Sequence, residues 1–226
     1  MSWEDWPRGP EIEPSIYAAD FGRLRDDLGA LLDAGAKIFQ FDVGDGHFVE
    51  PITIGPVVLK DISPLFRERG GILDVHLMTE SPERHFKAFA EAGADSVTAH
   101  VEVLGEYVHA VAAQARQLRL GFGLAFNPET PVEDVAAAAA HVDLVLCMGV
   151  HPGYSGQAYI PETTERVRRL RELLPPEVPI QVDGGVGPEN VRELKKAGAT
   201  LFVAGSSVFD GVDPPAAYRR LAEAVA

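Results

Sequence analysis

Eight short apolar runs alternate with stretches of helical period along nearly the whole chain, and this alternation constrains the fold more than any other feature. Seven runs are rich in β-branched or aromatic residues: KIFQFDV (37–43), ILDVHL (72–77), DSVTAHV (95–101), LGFGLAF (120–126), DLVLCM (143–148), PIQVDG (179–184) and TLFVAG (200–205). The eighth, EIEPSI (11–16), is interrupted by Pro14. Runs of this length and type read as strands. Between them, Phe21, Leu24, Leu28, Leu31 and Leu32 share one helical face, as do Val167, Leu170, Leu173 and Leu174. Ser81-Pro82 and Thr130-Pro131 read as helix starts, a capping hydroxyl before a proline at the first helical position. Gly35, Gly93 and Gly198, each between two alanines, read as helix ends that turn back into strands.

Strands alternating with helices predict an all-parallel α/β fold. The 226 residues come close to the ~250 of a (β/α)8 TIM barrel. A doubly wound sheet would carry a glycine-rich phosphate turn directly after its first strand. Here that strand runs into Ser15-Ile16-Tyr17-Ala18-Ala19-Asp20, and GVGPEN (185–190) only half-matches a dinucleotide fingerprint, after the seventh strand. A single barrel domain over 11–226 is therefore predicted. Residues 1–10 read as an N-terminal extension that Trp3 and Trp6 pack onto it.

Twenty Lys and Arg against thirty-four Asp and Glu give a net charge of −14. So acidic a chain is not expected to wrap nucleic acid or dock on anionic lipid. The single Cys147 excludes an internal disulfide and a four-thiolate zinc site. No apolar run reaches the ~20 residues of a membrane span. The opening MSWEDWPRGPEIEP lacks the basic and apolar regions of a signal peptide. A cytoplasmic setting is expected, and a homo-oligomer.

In such a barrel the chemistry sits at the C-terminal strand ends. Those ends carry Ser15, Gln40, Asp42, Asp74, His76, His100, Glu102, Met148 and Asp183. Strands buried on both faces should be nearly continuous Val, Ile and Leu, so an acid or imidazole there needs a partner or a task. Asp42, Asp183 and His76 read as ligands or acid/base groups facing the mouth. Asp74, one layer deeper, divides between barrel packing and support of His76. His100 and Glu102 read mainly as structure or a pocket wall, and His47 as a loop brace or a catalytic group. The loop 151–157, Gly184-Gly185 and Ala204–Ser207 contain no Lys or Arg. They are placed to aim backbone N–H groups and hydroxyls at a phosphate.

These residues resemble the ribulose-phosphate 3-epimerase family over essentially 11–226. The matching stretches are PSI-x-x-AD (14–20), FDV-x-DGHFV (41–49), ITIGP (52–56), DVHLM (74–78), LAFNP (124–128), PGYSGQ (152–157), VDGGV (182–186) and VAGSSVF (203–209). The resemblance implies a metal-dependent barrel enzyme interconverting ribulose 5-phosphate and xylulose 5-phosphate. It implies that Asp42 and Asp183 are the opposed acid/base pair and metal ligands, and that His76 is a further ligand. Ser15, Met78 and Met148 would line the substrate pocket. Gly153, Tyr154, Ser155, Gly156, Gly184, Gly185, Gly205 and Ser206 would surround the phosphate. The metal would be one divalent ion: zinc, manganese, iron, cobalt or magnesium.

The chain departs from the family pattern at several of these places. Gln40 stands where the family has a histidine ligand, which predicts weaker metal binding and a tilt from zinc toward manganese or magnesium. Gly44 replaces a methionine and is expected to widen the pocket. Tyr17, Ala18, Glu50-Pro51 and Ser155 also differ. Two alternatives follow: a 3-epimerase of a hexulose 6-phosphate such as allulose 6-phosphate, suggested by Gly44, and a non-catalytic phosphosugar-binding paralogue, suggested by Gln40.

Overall fold

A computed structural model describes residues 6–7 and 9–226; Trp3 lies outside the described residues. The eight strands are β1 (Glu11–Pro14), β2 (Ile38–Gly44), β3 (Ile72–Met78), β4 (Ser96–His100), β5 (Gly121–Phe126), β6 (Leu144–Met148), β7 (Ile180–Asp183) and β8 (Leu201–Ala204). All neighbours pair in parallel, in the order β1-β8-β7-β6-β5-β4-β3-β2. One parallel bridge, Ser15 to Gln40, joins β1 to β2 and closes the barrel. Around it run α1 (Leu24–Asp33), α2 (Pro56–Arg69), α3 (Phe86–Ala92), α4 (Val101–Leu104), α5 (Val108–Gln117), α6 (Val132–Ala138), α7 (Thr163–Leu173), α8 (Val191–Ala197) and α9 (Pro214–Val225). No helix among the described residues is long and apolar enough to cross a membrane.

The period-two alternation within each strand divides the core into two layers. Outward residues such as Phe39, Phe41, Val75, Phe122 and Val145 pack against the helices. Inward residues Ile38, Ile72, Leu144 and Leu201, at the N-terminal strand ends, form a second cluster that also contains Trp6. Trp6 is only 3% exposed, so the described part of the extension contributes to the barrel's floor.

Above that floor the interior turns polar. Gln40, Asp74 and Ser96 stand level in the register of β2, β3 and β4, and Asp42, His76 and Thr98 stand level two residues higher. Gln181 Nε2 donates to Glu13 Oε2 at 2.5 Å and to Asp74 Oδ2 at 3.0 Å, and Ser96 Oγ donates to Asp74 Oδ1 at 2.5 Å. All four residues are buried. Glu13 is raised well above the ordinary carboxylate range by burial and by Asp74, and Asp74 is raised by burial.

Some local expectations are corrected. Phe21 precedes α1 and is exposed instead of sharing its buried face, and Leu173 is partly exposed. The N-cap of α6 is Pro131, one residue later than expected, because the Thr130 hydroxyl is turned to Glu102. Ser81 precedes only a short 3-10 turn (Pro82–Arg84) and makes no capping hydrogen bond. Gly93 and Gly198 do end α3 and α8, at φ +105° and +113° in the left-handed region that favours glycine.

Candidate active site

At the C-terminal strand ends, Gln40, Asp42, His76 and Asp183 close into a ring that Ser15 braces from outside. Ser15 Oγ donates to Asp42 Oδ2 at 2.6 Å. Gln40 Nε2 donates to Asp42 Oδ1 at 2.7 Å and to Asp183 Oδ2 at 2.8 Å. His76 Nδ1 lies 3.0 Å from Asp42 Oδ1 and 3.6 Å from Asp183 Oδ2. Behind His76, its Nε2 meets His100 Nε2 at 2.9 Å, and His100 Nδ1 meets Glu102 Oε2 at 3.2 Å.

The electrostatics follow from burial and pairing. Burial works against a charged His76, but hydrogen bonds and charges from Asp183 and Asp42 outweigh it and lift the imidazole to about 9. Burial and the adjacent His76 push His100 down to about 4. Glu102 is partly buried, yet hydrogen bonds from His100, Thr130 and Asn127 hold it at about 2. Asp183 is raised by burial and by the charge of Asp42. Of these, Asp183 lines the cleft above the ring and His76 lies beneath it, and shifted groups at a cleft point to acid/base chemistry.

A cleft of about 300 Å³ opens above the ring. It is lined by Ser15, Asp42, Met78, Met148, Gly153, Tyr154, Ser155, Gly156, Asp183, Gly184, Gly185, Gly205 and Ser206, and no Lys or Arg among the described residues lines it. His76 and Gln40 lie buried beneath it. Tyr159 and Glu189 also line it; neither follows a strand end directly, so no sequence pattern marked them. The loop 152–157 is tied down on two sides, by Tyr154 Oη donating to Glu50 Oε2 at 3.0 Å and by His151 Nε2 against Glu129 Oε1 at 2.5 Å.

Several expectations change here. Asp74 does not support His76; its carboxylate serves Ser96 and Gln181. His100 and Glu102 form no pocket wall and stand behind His76 instead. His47 braces its own loop, its backbone N–H donating to Asp45 Oδ1 at 2.8 Å. Gly44 does not widen the cleft. A Cβ there would meet Pro51 O at 2.6 Å and Val49 Cγ2 at 2.8 Å, so the loop after β2 has filled the space. Gly184 and Gly185 have φ of +106° and +65°, and added Cβ atoms would strike Val150 and Tyr159. Their side-chain directions therefore face protein. Gly205 differs, since its Cβ would lie 3.2 Å from Ser155 Oγ and 3.4 Å from Ala18 Cβ.

Nδ1 of His76 and one oxygen each of Asp42 and Asp183 lie within 4.8 Å of one another, a group that can hold a metal ion. One imidazole and two carboxylates suit a divalent cation, and three protein ligands are what a catalytic zinc site retains. Gln40 turns its NH2 to the carboxylates, and its Oε1 is buried without a hydrogen-bond partner. An amide nitrogen bearing two hydrogens offers no lone pair to a cation, so Gln40 acts here as a clasp between the two acids.

Comparison with known proteins identifies the family. Residues 11–209 match the model of the ribulose-phosphate 3 epimerase family. Curated ribulose-phosphate 3-epimerases include one from Synechocystis sp., 42% identical over 88% of this chain and 87% of its own length. One from Escherichia coli K12 is 40% identical, covering 89% and 90%. One from Aquifex aeolicus is 36% identical, covering 93% and 94%. Among solved structures, a 3-hexulose-6-phosphate synthase superposes with a TM-score of 0.74 at 19% identity, over 96% of this chain and 100% of that one. At that identity the likeness concerns the barrel fold alone.

Proposed function

The chain belongs to the ribulose-phosphate 3-epimerase family and is an isomerase, and we propose that it inverts carbon 3 of ribulose 5-phosphate with Asp42 and Asp183 as the two proton carriers. The observation that carries this assignment is the pair itself. Two carboxylates from strands on separate arcs of the barrel converge on one buried imidazole at the base of a cleft. Removing a C–H proton beside a ketone and returning one from the other side requires two groups, each able to accept and donate.

Each side chain then has a task. One aspartate takes the C3 proton and the other supplies a proton to the opposite face, with the roles exchanged in the reverse direction. Burial and the charge of Asp42 raise Asp183, which favours proton uptake there. Ser15 and Gln40 fix the Asp42 carboxylate from two sides. Met78 and Met148 give the sugar an apolar wall. Asp42, His76 and Asp183 would hold one divalent cation, which when bound supplies positive charge to stabilise the enediolate oxygens.

The phosphate is assigned to the loops after β6, β7 and β8, whose glycines, with Ser155 and Ser206, line the cleft, and no Lys or Arg among the described residues joins them. Such concave backbone can bind an anion without side-chain charge, which reconciles an anionic substrate with a net charge of −14. The hexulose alternative loses its support with the filled space at Gly44. A homo-oligomer and a cytoplasmic setting belong to the same reading.

The deciding experiment follows deuterium from solvent into C3 of ribulose 5-phosphate. The unaltered protein should incorporate label as xylulose 5-phosphate accumulates; binding without incorporation would mark a non-catalytic phosphosugar protein. Free ribulose should be a very poor substrate, and equal turnover of the two would displace the anion site. Gly205→Val, which projects toward the cleft, should raise KM more than it lowers thermal stability. Gly184→Val should do the reverse.

A further inference from the structure

Two groups remain without a task in this chemistry, the buried His100 and the partly exposed Glu102. They touch no cleft, yet they form a line that ends on His76. His76 Nε2 and His100 Nε2 are 2.9 Å apart, and their rings stack with centroids 5.1 Å apart. Phe48 covers His100, with ring centroids 4.7 Å apart. His100 Nδ1 lies 3.2 Å from Glu102 Oε2. The other Glu102 oxygen accepts from the Asn127 backbone N–H at 2.7 Å and from the Thr130 hydroxyl.

Hydrogen-bond polarity along this line has one consistent solution. A carboxylate only accepts, so the hydrogen between Glu102 and His100 belongs to His100 Nδ1. A neutral imidazole with hydrogen on Nδ1 has its lone pair on Nε2. The hydrogen between the two rings must then sit on His76 Nε2. His76 Nδ1, the nitrogen facing Asp42 and Asp183, gives its own hydrogen to Asp42 in the metal-free protein; because Nε2 is already protonated, a cation that displaces that hydrogen finds the Nδ1 lone pair. With the opposite polarity the Nδ1 hydrogen would be the only one on His76, and a cation could take Nδ1 only by driving that hydrogen onto Nε2, against His100.

We propose that Glu102, acting through His100, is a positioning residue that fixes the tautomer of His76 and so makes its Nδ1 a metal ligand. This rests on the reading that Asp42, His76 and Asp183 hold a divalent cation. Partners that orient a ligating histidine through its other nitrogen commonly govern affinity by 10- to 100-fold. Here the control lies one residue further out, because His100 has no fixed polarity of its own.

Glu102→Gln is the discriminating change. The variant amide keeps an oxygen for Asn127 and Thr130 and turns its NH2 toward His100 Nδ1, which must then accept. The polarity of the whole line reverses with almost no change of shape. Histidine 15N shifts of the full chain, recorded without metal, should show His100 protonated on Nδ1 in the unaltered protein and on Nε2 in Glu102→Gln. Calorimetric titration with Mn2+ and with Zn2+ should show binding weakened about 10- to 100-fold in the variant, with its melting temperature little changed. Thr130→Ala, which leaves Glu102 an acceptor, should bind metal nearly as the unaltered protein does.

An unaltered protein with His100 protonated on Nε2 would overturn the proposal, and that measurement needs no variant to fold. Equal metal affinity in Glu102→Gln would overturn it too. If the unaltered protein bound neither ion, the metal-site reading itself would fail. The metal-free shifts would identify that failure separately, by still reporting the polarity of the line.

Discussion

At the mouth of the barrel Gln40 donates to Asp42 and Asp183 at 2.7 and 2.8 Å, and deeper in it Gln181 donates to Glu13 and Asp74 at 2.5 and 3.0 Å. The two clasps have the same chemistry, one amide nitrogen between two acids. They differ in their surroundings. The upper pair faces an imidazole and opens to a cleft; the lower pair meets Ser96 and is sealed. A buried carboxylate without a cation nearby is costly, and it escapes the cost by keeping its proton. Glu13 and Asp74 are raised accordingly. Asp183 of the upper pair is raised as well, but there His76 works against the shift, and the cleft leaves room for a cation. Two equivalent pairs of acids thus become a reactive site and a structural layer through what stands beside them.

The largest separation between the clasps should appear in turnover. Asp42→Asn or Asp183→Asn should each cost about 10²–10⁴-fold in kcat, the amount general acid/base catalysis supplies. Asp74→Asn should leave kcat within a few-fold. Near-normal turnover of either upper variant, in a coupled assay for xylulose 5-phosphate, would erase the distinction.

Metal should stabilise the protein only through the upper clasp. At a hundred times Kd a bound ion adds about 2.7 kcal/mol, seen as a rise in melting temperature. Glu13→Gln should keep that rise, and Asp183→Asn should lose most of it. A rise that survives Asp183→Asn would place the metal elsewhere.

Gln40→His sharpens the comparison from the other side. It replaces a donor that bridges two acids by an imidazole able to ligate, so zinc binding should tighten by about tenfold, or ~1.4 kcal/mol. Activity at limiting metal should rise with it. Stoichiometric zinc surviving dialysis of the unaltered protein, with no gain in the variant, would show that the amide already suffices.

The smallest effect concerns the lower clasp and pH. Glu13 has a folded-state pKa above its ordinary value of 4.5. The folded protein therefore holds a proton that the unfolded chain releases once pH passes that value. Stability falls as pH rises from there toward the folded pKa, by at most about 1.4 kcal/mol per pH unit for one proton. Glu13→Gln removes this slope, so it should match the unaltered protein near pH 4 and gain on it toward pH 8 in urea titrations. A parallel pair of stability curves would contradict the sealed, protonated state.

The architecture was legible in the residues alone, because alternating periods of two and 3.6 residues leave few folds open to a chain of this length. The sequence also marked Asp42, His76 and Asp183, since charged groups inside strands otherwise built of Val, Ile and Leu stand out against their neighbours. Their convergence was legible because strand ends in a parallel barrel share one face. Contacts between side chains from different strands were not legible. Asp74 sits two residues from His76 and so points the same way, but the register sets it level with Gln40 and Ser96, and it bonds to Ser96 and Gln181. His76 finds its partner instead in His100, one strand over. Gly44 shows the same limit, for only the path of the loop after β2 decides whether a missing side chain leaves a hole or is filled by Val49 and Pro51. Gln40 shows it most sharply. The family resemblance says that an amide replaces an imidazole, and only the placement of two aspartates on either side turns its nitrogen, a donor, toward them. Periodicity along one strand specifies which face a residue occupies; which partner it meets depends on closure of the barrel, which joins residues 143 positions apart.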